Sequence, residues 1–265
     1  MVSGRLAKFV PLTSMTRRLK LVWWIVKLFA IIYGALFFCS DHVVLPTIWG
    51  CRFIIPKKGF SKYLLLNIMI GLYELEWQSH FDSYVRSAKL FIDVGAAADG
   101  YHSLRAFRKN KNIKSIAIEP LQLEFKYLVK NVLMNQALGR VIPLKLALGE
   151  GRGEALIGGE KVPMLSLDDL VEELKLPCVD IIKIDVEGAG LSVIKGALKT
   201  ISKDKPIIFF EVHDELEGQA LEVLRALGYD LVTRDGRTIA IPQTRVKELR
   251  GVSRKDGKKF LENVE

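Results

Sequence analysis

The 265-residue chain is 49% hydrophobic and 9% aromatic, which excludes a disordered polypeptide and suffices for one large α/β domain with an appendage. Its three cysteines, Cys39, Cys51 and Cys178, form no CxxC pair and are odd in number, so neither a disulfide framework nor a thiolate zinc site is indicated and a reducing compartment is expected. The net charge of +9 sits at one end: residues 1–90 carry 12 Lys/Arg against 4 Asp/Glu, residues 91–265 carry 27 against 26.

Residues 1–45 read as a basic N-terminal segment built around an apolar stretch, 21–39, with 17 apolar residues in 19. That is close to the ~20 residues that cross a bilayer. Lys27 lies mid-segment, where insertion costs about 3 kcal/mol, and a single span would place Arg17, Arg18 and Lys20 outside, against the positive-inside tendency. Thr13, Lys20, Lys27, Gly34 and Asp41 recur every seven residues and mark a narrow polar stripe. Three arrangements fit: a helix in the membrane interface, a true span, or a helix packed on protein. The apolar run beside basic residues points to an anionic membrane surface, met through residues 17–40, rather than to nucleic acid. No small-x-small cleavage site follows it.

Residues 46–88 form a lead-in region punctuated by Pro46, Gly50, Pro56 and Gly59, with an extended stretch at 51–55. Its apolar run at 63–73 is too short for a second span. From 89 to 242, strands and helices alternate at βαβ spacing, which predicts a mostly parallel sheet covered on both faces. Strands are expected at 90–94, 115–119, 141–147, 180–185, 206–212 and 229–233, and helices near 101–110, 121–137, 166–175, 188–202 and 214–227. Asp235-Gly236 is a two-residue hairpin signal, so the sheet should end in an antiparallel hairpin, unlike a nicotinamide-binding domain. Residues 243–265 read as a basic tail.

The stretch 91–100, Phe-Ile-Asp-Val-Gly-Ala-Ala-Ala-Asp-Gly, is a strand running into a turn of small residues before a helix. Gly95, Ala96 and Gly100 let backbone approach a ligand there, and the helix start offers free N–H groups. Glu119 closes the next strand 26 residues after Asp93, the place from which an acid binds both ribose hydroxyls. Asp93 would repel a pyrophosphate but suits an ammonium and a sulfonium, so the constellation points to S-adenosylmethionine. A helix cap is the competing structural reading of Asp93. The strand 181–184 ends in Asp185, Glu187 and Gly188, and both acids are expected to face the crevice beyond the strand ends. Alternation sends Glu211 and His213 to one face as an acid/base pair, whereas His42, His80 and His102 have no comparable setting.

Asp93-Val94-Gly95-Ala96 with Gly100-Tyr101, Ile118-Glu119-Pro120, Leu146-Ala147-Leu148-Gly149, Ser166-Leu167-Asp168-Asp169-Leu170 and Lys183-Ile184-Asp185-Val186-Glu187-Gly188-Ala189, in this order, resemble the FkbM methyltransferase family. Gly71-Leu72-Tyr73-Glu74 resembles the family's lead-in motif. The resemblance covers residues 48–242 and implies a class I methyltransferase fold. It further implies methyl transfer from S-adenosylmethionine to a hydroxyl of a sugar or polyketide, with cofactor contacts at Asp93, Gly95, Ala96, Gly100, Glu119, Pro120, Ala147 and Asp185. Two departures stand out: the glycine turn is one residue longer than the family pattern, and Gly190 occupies a position where the family commonly carries Glu.

An alcohol is a poor nucleophile at neutral pH and needs a base; His213 is the first candidate, then Asp185 or Glu211. Oxygen ligands at Asp185 and Glu211 would suit Mg²⁺, but no metal is expected. The expected acceptor is a hydroxyl of a sugar, glycolipid or lipid-linked small molecule, handled at the cytoplasmic face of a membrane or in the cytoplasm. The alternatives are a non-catalytic membrane-associated protein that keeps the fold, suggested by the altered turn and Gly190, and an NAD(P)-dependent oxidoreductase, disfavoured by Asp93 and the hairpin.

Overall fold

Apolar runs without alternation must be buried on both faces, and here they become the parallel core of a sheet. The structure, a computed structural model, describes residues 23–24, 42–56, 67–234 and 236–245. The apolar helix expected at 21–39 therefore lies outside the described residues except for Trp23 and Trp24, which are helical; Asp235 and residues 246–265 also lie outside. Among the described residues, no helix is long and apolar enough to cross a membrane.

In chain order the elements are β1 (His42–Pro46), β2 (Arg52–Pro56), α1 (Leu75–Val85), β3 (Leu90–Val94), α2 (Tyr101–Lys109), β4 (Lys114–Ile118), α3 (Gln122–Met134), β5 (Val141–Leu144), β6 (Ala147–Leu148), β7 (Gly153–Ile157), β8 (Glu160–Leu165), α4 (Leu167–Glu173), β9 (Ile181–Ile184), α5 (Gly190–Lys195), α6 (Leu198–Asp204), β10 (Ile207–Glu211), α7 (Glu215–Ala226), β11 (Tyr229–Arg234) and β12 (Arg237–Pro242). The main sheet has seven strands in the order β11-β12-β10-β9-β3-β4-β5. Strands β10, β9, β3, β4 and β5 run parallel, and β11–β12 form the antiparallel hairpin expected at the end, with Arg234 opposite Arg237. Gly236 in its turn has φ +79°, a conformation glycine adopts without strain.

Two expected elements break. The strand expected at 141–147 leaves the main sheet after Leu144, because β5 is the edge strand and nothing beyond it holds the chain. Ala147–Leu148 then pairs with β8 in a separate sheet, β6-β8-β7. The helix expected at 188–202 splits at Gly196, where a Cβ would collide with the Gly149 carbonyl oxygen. Ser166 caps α4 by accepting from the Asp169 N–H at 2.9 Å, and Asp168 accepts from Lys199 N, Thr200 N and Thr200 Oγ1 at 2.7–2.9 Å. The Ser-Leu-Asp-Asp-Leu word thus ties helix starts together.

Leu90, Ile92 and Val94 of β3 pack with Val193, Ile194, Ala220 and Leu224 from the helices on one side of the sheet. Phe91 faces the other side and meets Phe81, Val85 and Ala106 of α1 and α2. The β1–β2 hairpin docks on α3, where Phe53 joins Tyr101 and Leu128. Two asparagines one turn apart give α3 a substitute strand edge. Asn131 Oδ1 accepts from Ile54 N (2.6 Å) while its Nδ2 donates to Ile54 O (2.9 Å) and Ala98 O (2.8 Å); Asn135 makes the same pair of bonds with Arg52. Asn131 is fully buried, so truncation strands three backbone groups. Asn131→Ala should cost about 3 kcal/mol or more in denaturant unfolding, and a cost under about 1 kcal/mol would show that those groups find other partners.

Candidate active site

Because side chains alternate along a strand, Asp93 shares the face of Phe91, Lys183 that of Ile181, and Glu211 that of Phe209. The registers set Asp93 beside Lys183, Lys183 beside Phe209, and Glu211 opposite Arg237. Charged side chains thus converge on one face of the sheet just beyond an aromatic layer of Phe81, Phe91 and Phe209.

They form two adjoining groups of ion pairs, coupled through the charges of Glu74 and Lys183. Lys183 Nζ donates to Asp185 Oδ2 at 3.0 Å, and Asp185 Oδ1 lies 3.2 Å from His213 Nε2. Arg237 Nη2 lies 3.2 Å from Glu74 Oε1 and 3.3 Å from Glu211 Oε1. Glu74 Oε2 in turn meets His102 Nε2 at 3.2 Å. Burial pushes the Glu74 carboxyl up, but the His102 hydrogen bond and the charges of His102, Lys183 and Arg237 win and hold it down at about 2. Burial likewise works against Lys183, yet Asp185, Asp93 and Glu74 raise its pKa well above the ordinary lysine value. Asp99, buried with Asp93 nearby, is pushed up to about 6, chiefly by loss of water. The five carboxylates Glu74, Asp93, Asp99, Asp185 and Glu211 thus outnumber Lys183, Arg237 and His102, which leaves an excess of negative charge. A cavity of about 20 Å³ among Glu74, Trp77, His102, Lys183, Glu211 and Arg237 has room for about one water and is too small for a nucleoside.

The glycine turn lies next to this network. Gly95, Ala97 and Gly100 all have left-handed φ (+80°, +57° and +60°). A Cβ on Gly95 would collide with the Asp185 carbonyl oxygen, and one on Gly100 would stand 2.5 Å from Leu128 Cδ1. Gly95 is therefore demanded by packing against backbone, and Gly100 by its left-handed φ, whatever the ligand. Gly95 N and Ala96 N donate to Ile118 O at 3.0 and 2.9 Å, which bolts the turn to β4. Ala96 packs beside Tyr101 and Leu104. Glu119 is buried with Oε2 accepting from Ala97 N (3.0 Å) and Oε1 from Leu121 N (2.9 Å), and burial raises its carboxyl to about 7. Pro120 continues that strand end, and Ala147, buried, opens β6.

Asp93 combines both of its sequence readings. Its Oδ2 caps α2, accepting from Ser103 N (3.1 Å) and Ser103 Oγ (2.7 Å), while Oδ1 is buried with no hydrogen-bond partner among the described residues. That orphaned oxygen, the spare lone pairs of Glu119 and the surplus negative charge fit S-adenosylmethionine, whose ammonium and ribose hydroxyls are donors and whose sulfonium is a cation. Asp93, Asp185, Glu211 and His213 are brought together, and Glu119 stands across the turn from them. Glu187 is exposed on its turn, outside the network. Asp185, Glu211 and His213 offer ligand atoms within 4.8 Å of one another, so the geometry permits an ion. Lys183 and Arg237 already neutralise those two carboxylates, so no metal is assigned.

His102 is buried against Glu74 beside the cluster, away from the Asp185–His213 pair. Glu74, Lys183 and Arg237 were missed as site residues. A lysine inside an otherwise aliphatic buried strand was the available signal for Lys183, and the Gly-Leu-Tyr-Glu motif for Glu74. Arg237, one residue past a turn, carried none.

A family model described as the methyltransferase FkbM domain matches residues 93–231. Among solved structures, the methyltransferase FkbM from Methylobacillus flagellatus KT is similar at 17% identity and TM-score 0.48, over 68% of this chain and 54% of that one. The chain therefore spans about half the length of that protein. Precorrin-6y C5,15-methyltransferase from Geobacter metallireducens GS-15 is similar at 16% identity and TM-score 0.44, over 64% of this chain and 87% of that one. The N-terminal domain of human METTL16, solved in complex with SAH, gives 17%, 0.43, 64% and 67% for the same quantities. No curated protein matches the chain. Since the methyltransferase domain model covers more than half of its residues, this protein belongs to the FkbM methyltransferase family, with S-adenosylmethionine as the cofactor that membership implies.

Proposed function

We propose that the protein methylates a hydroxyl group of a sugar, glycolipid or related small molecule, with His213 as the proton acceptor. The observation that carries this reading is the contact of His213 Nε2 with Asp185 Oδ1 at 3.2 Å, at the ends of two adjacent parallel strands and beside Glu211. When bound, S-adenosylmethionine supplies a methyl group made electrophilic by its sulfonium, and the neutral thioether S-adenosylhomocysteine is left as the C–O bond forms. With Nε2–H donated to Asp185, the imidazole keeps a lone pair on Nδ1 for the hydroxyl proton. The His213 side chain is 25% exposed, so it is open to an acceptor, whereas that of Asp185 is 6% exposed and stays fixed. The Asp185 hydrogen bond raises the His213 pKa, partly opposed by burial, and the carboxylates around it raise it further. Lys183 holds the second oxygen of Asp185, which keeps that carboxylate aimed. Asp93 and Glu119 are assigned to the cofactor's ammonium and ribose.

Asp93→Asn and Glu119→Gln should each abolish calorimetric binding of S-adenosylmethionine. Glu119 accepts hydroxyl donors best when ionised, so wild-type affinity should rise as pH passes upward through about 7. Undiminished binding in both variants would dismiss the cofactor assignment. For His213→Ala, turnover should fall roughly 10²-fold with cofactor affinity intact. The base must be neutral to work and its pKa is raised, so wild-type turnover should be lost on acidification through a pKa above 6.5, and the variant should lack that limb. Full turnover in the variant removes His213 from the reaction.

The apolar stretch 21–39 beside Arg17, Arg18 and Lys20 supports a membrane-borne acceptor. Full-length protein should float with anionic vesicles, and a variant lacking residues 1–40, which spares β1, should not. Equal flotation of the two places the membrane contact elsewhere or nowhere.

A further inference from the structure

Position 190 is a glycine at the start of α5, and the structure shows what fills the space beside it. A Cβ on Gly190 would stand 2.6 Å from Phe210 Cζ and 3.1 Å from Glu217 Oε1, so nothing larger than glycine fits without displacing that ring. The space belongs to the carboxylate of Glu217, which comes from the first turn of α7 and is 1% exposed. Its Oε1 accepts from Gly190 N at 3.1 Å and its Oε2 from His213 N at 2.6 Å. Asp214 caps the same helix through Glu217 N at 2.7 Å, which fixes where the Glu217 backbone sits.

One buried carboxylate therefore bridges two loops. The first leaves β9 with Asp185 and enters α5 at Gly190; the second leaves β10 with Glu211 and carries His213 into α7. We propose that Glu217 is a positioning residue for methyl transfer, setting the Asp185–His213 geometry from α7. This rests on the reading of His213 as the proton acceptor. Both Glu217 oxygens face N–H donors, so a carboxylate is required: a glutamine amide would present its own NH₂ to one of the two donors. The groups around His213 are Asp185 from the end of β9, Glu211 from β10 and Glu217 from α7, with Lys183 and Arg237 held by the first two. Removing the Glu217 charge takes away one influence that keeps the imidazole basic.

The test compares E217Q, E217D, H213A and the double variant H213A/E217Q in the full-length protein. Each is assayed for calorimetric binding of S-adenosylmethionine, melting temperature and kcat against pH. E217Q should bind the cofactor within about twofold of wild type while kcat falls roughly tenfold, since small misplacements of a reacting group are costly. Its acid limb should move to lower pH, and E217D should recover part of the loss. The double variant should be no slower than H213A, because the two residues act in series. Wild-type kcat and pH profile in E217Q, or an equal tenfold loss in the H213A background, overturns the proposal. Wild-type turnover in H213A instead overturns the proton-acceptor reading, so the two failures are separable. Should E217Q not fold, the His213 amide proton of the wild-type protein decides: a strongly downfield, exchange-protected resonance supports the clamp, and an ordinary, fast-exchanging one sinks it.

Discussion

Carboxylates withdrawn from water must be met by donors or by cations, and the whole site is organised around that requirement. Parallel strands bring Asp93, Asp185 and Glu211 to one end of the sheet, and the lead-in segment and the glycine turn add Glu74 and Asp99. Lys183, His102, Arg237 and the backbone N–H groups of α2 answer most of that charge. What they leave is a buried surplus next to the glycine turn. A ligand bearing two positive centres and a carboxylate completes the balance; a pyrophosphate would worsen it.

The same elements that hold the charges also couple the two halves of the site. Gly95 lies against the Asp185 carbonyl so closely that a side chain there is excluded, so the glycine turn and the strand end bearing Asp185 share one backbone contact. From the other direction, Asn131 holds Ala98 of the turn and Ile54 of β2 with one amide, which makes the lead-in hairpin part of the site's foundation. Glu74 does the same through its side chain, reaching from a residue at φ +52° to both α2 and β12.

Much of this was legible in the residue order. Strands β3, β9 and β10 are aliphatic or aromatic runs broken only by Asp93, Lys183 and the terminal Glu211, and period-2 alternation places Glu211 and His213 on one face. The Asp235-Gly236 signal gave the terminal hairpin. Other features were legible and overlooked: Gly158-Gly159, with both φ positive, joins β7 to β8 as a two-residue turn of the same kind. Still others depend on chain crossings that no local pattern records. Gly196 breaks a helix because a distant carbonyl, that of Gly149, occupies the space. Asp93 serves as cap and site residue at once because Ser103 happens to return above it. The place of Lys183 between Asp93 and Asp185 follows from strand register, and the partners of Arg237 lie 163 and 26 residues away in the chain.

The most direct measurement of the central idea, that surplus negative charge at the strand tips selects a cationic nucleoside, is a calorimetric comparison of S-adenosylmethionine with 5′-methylthioadenosine. The second compound keeps the adenosine and the thioether sulfur but has neither ammonium nor sulfonium. Binding weaker by at least about a hundredfold, roughly 2.7 kcal/mol, is the expected result. Equal affinities would contradict it and would leave the buried carboxylates as fold structure alone.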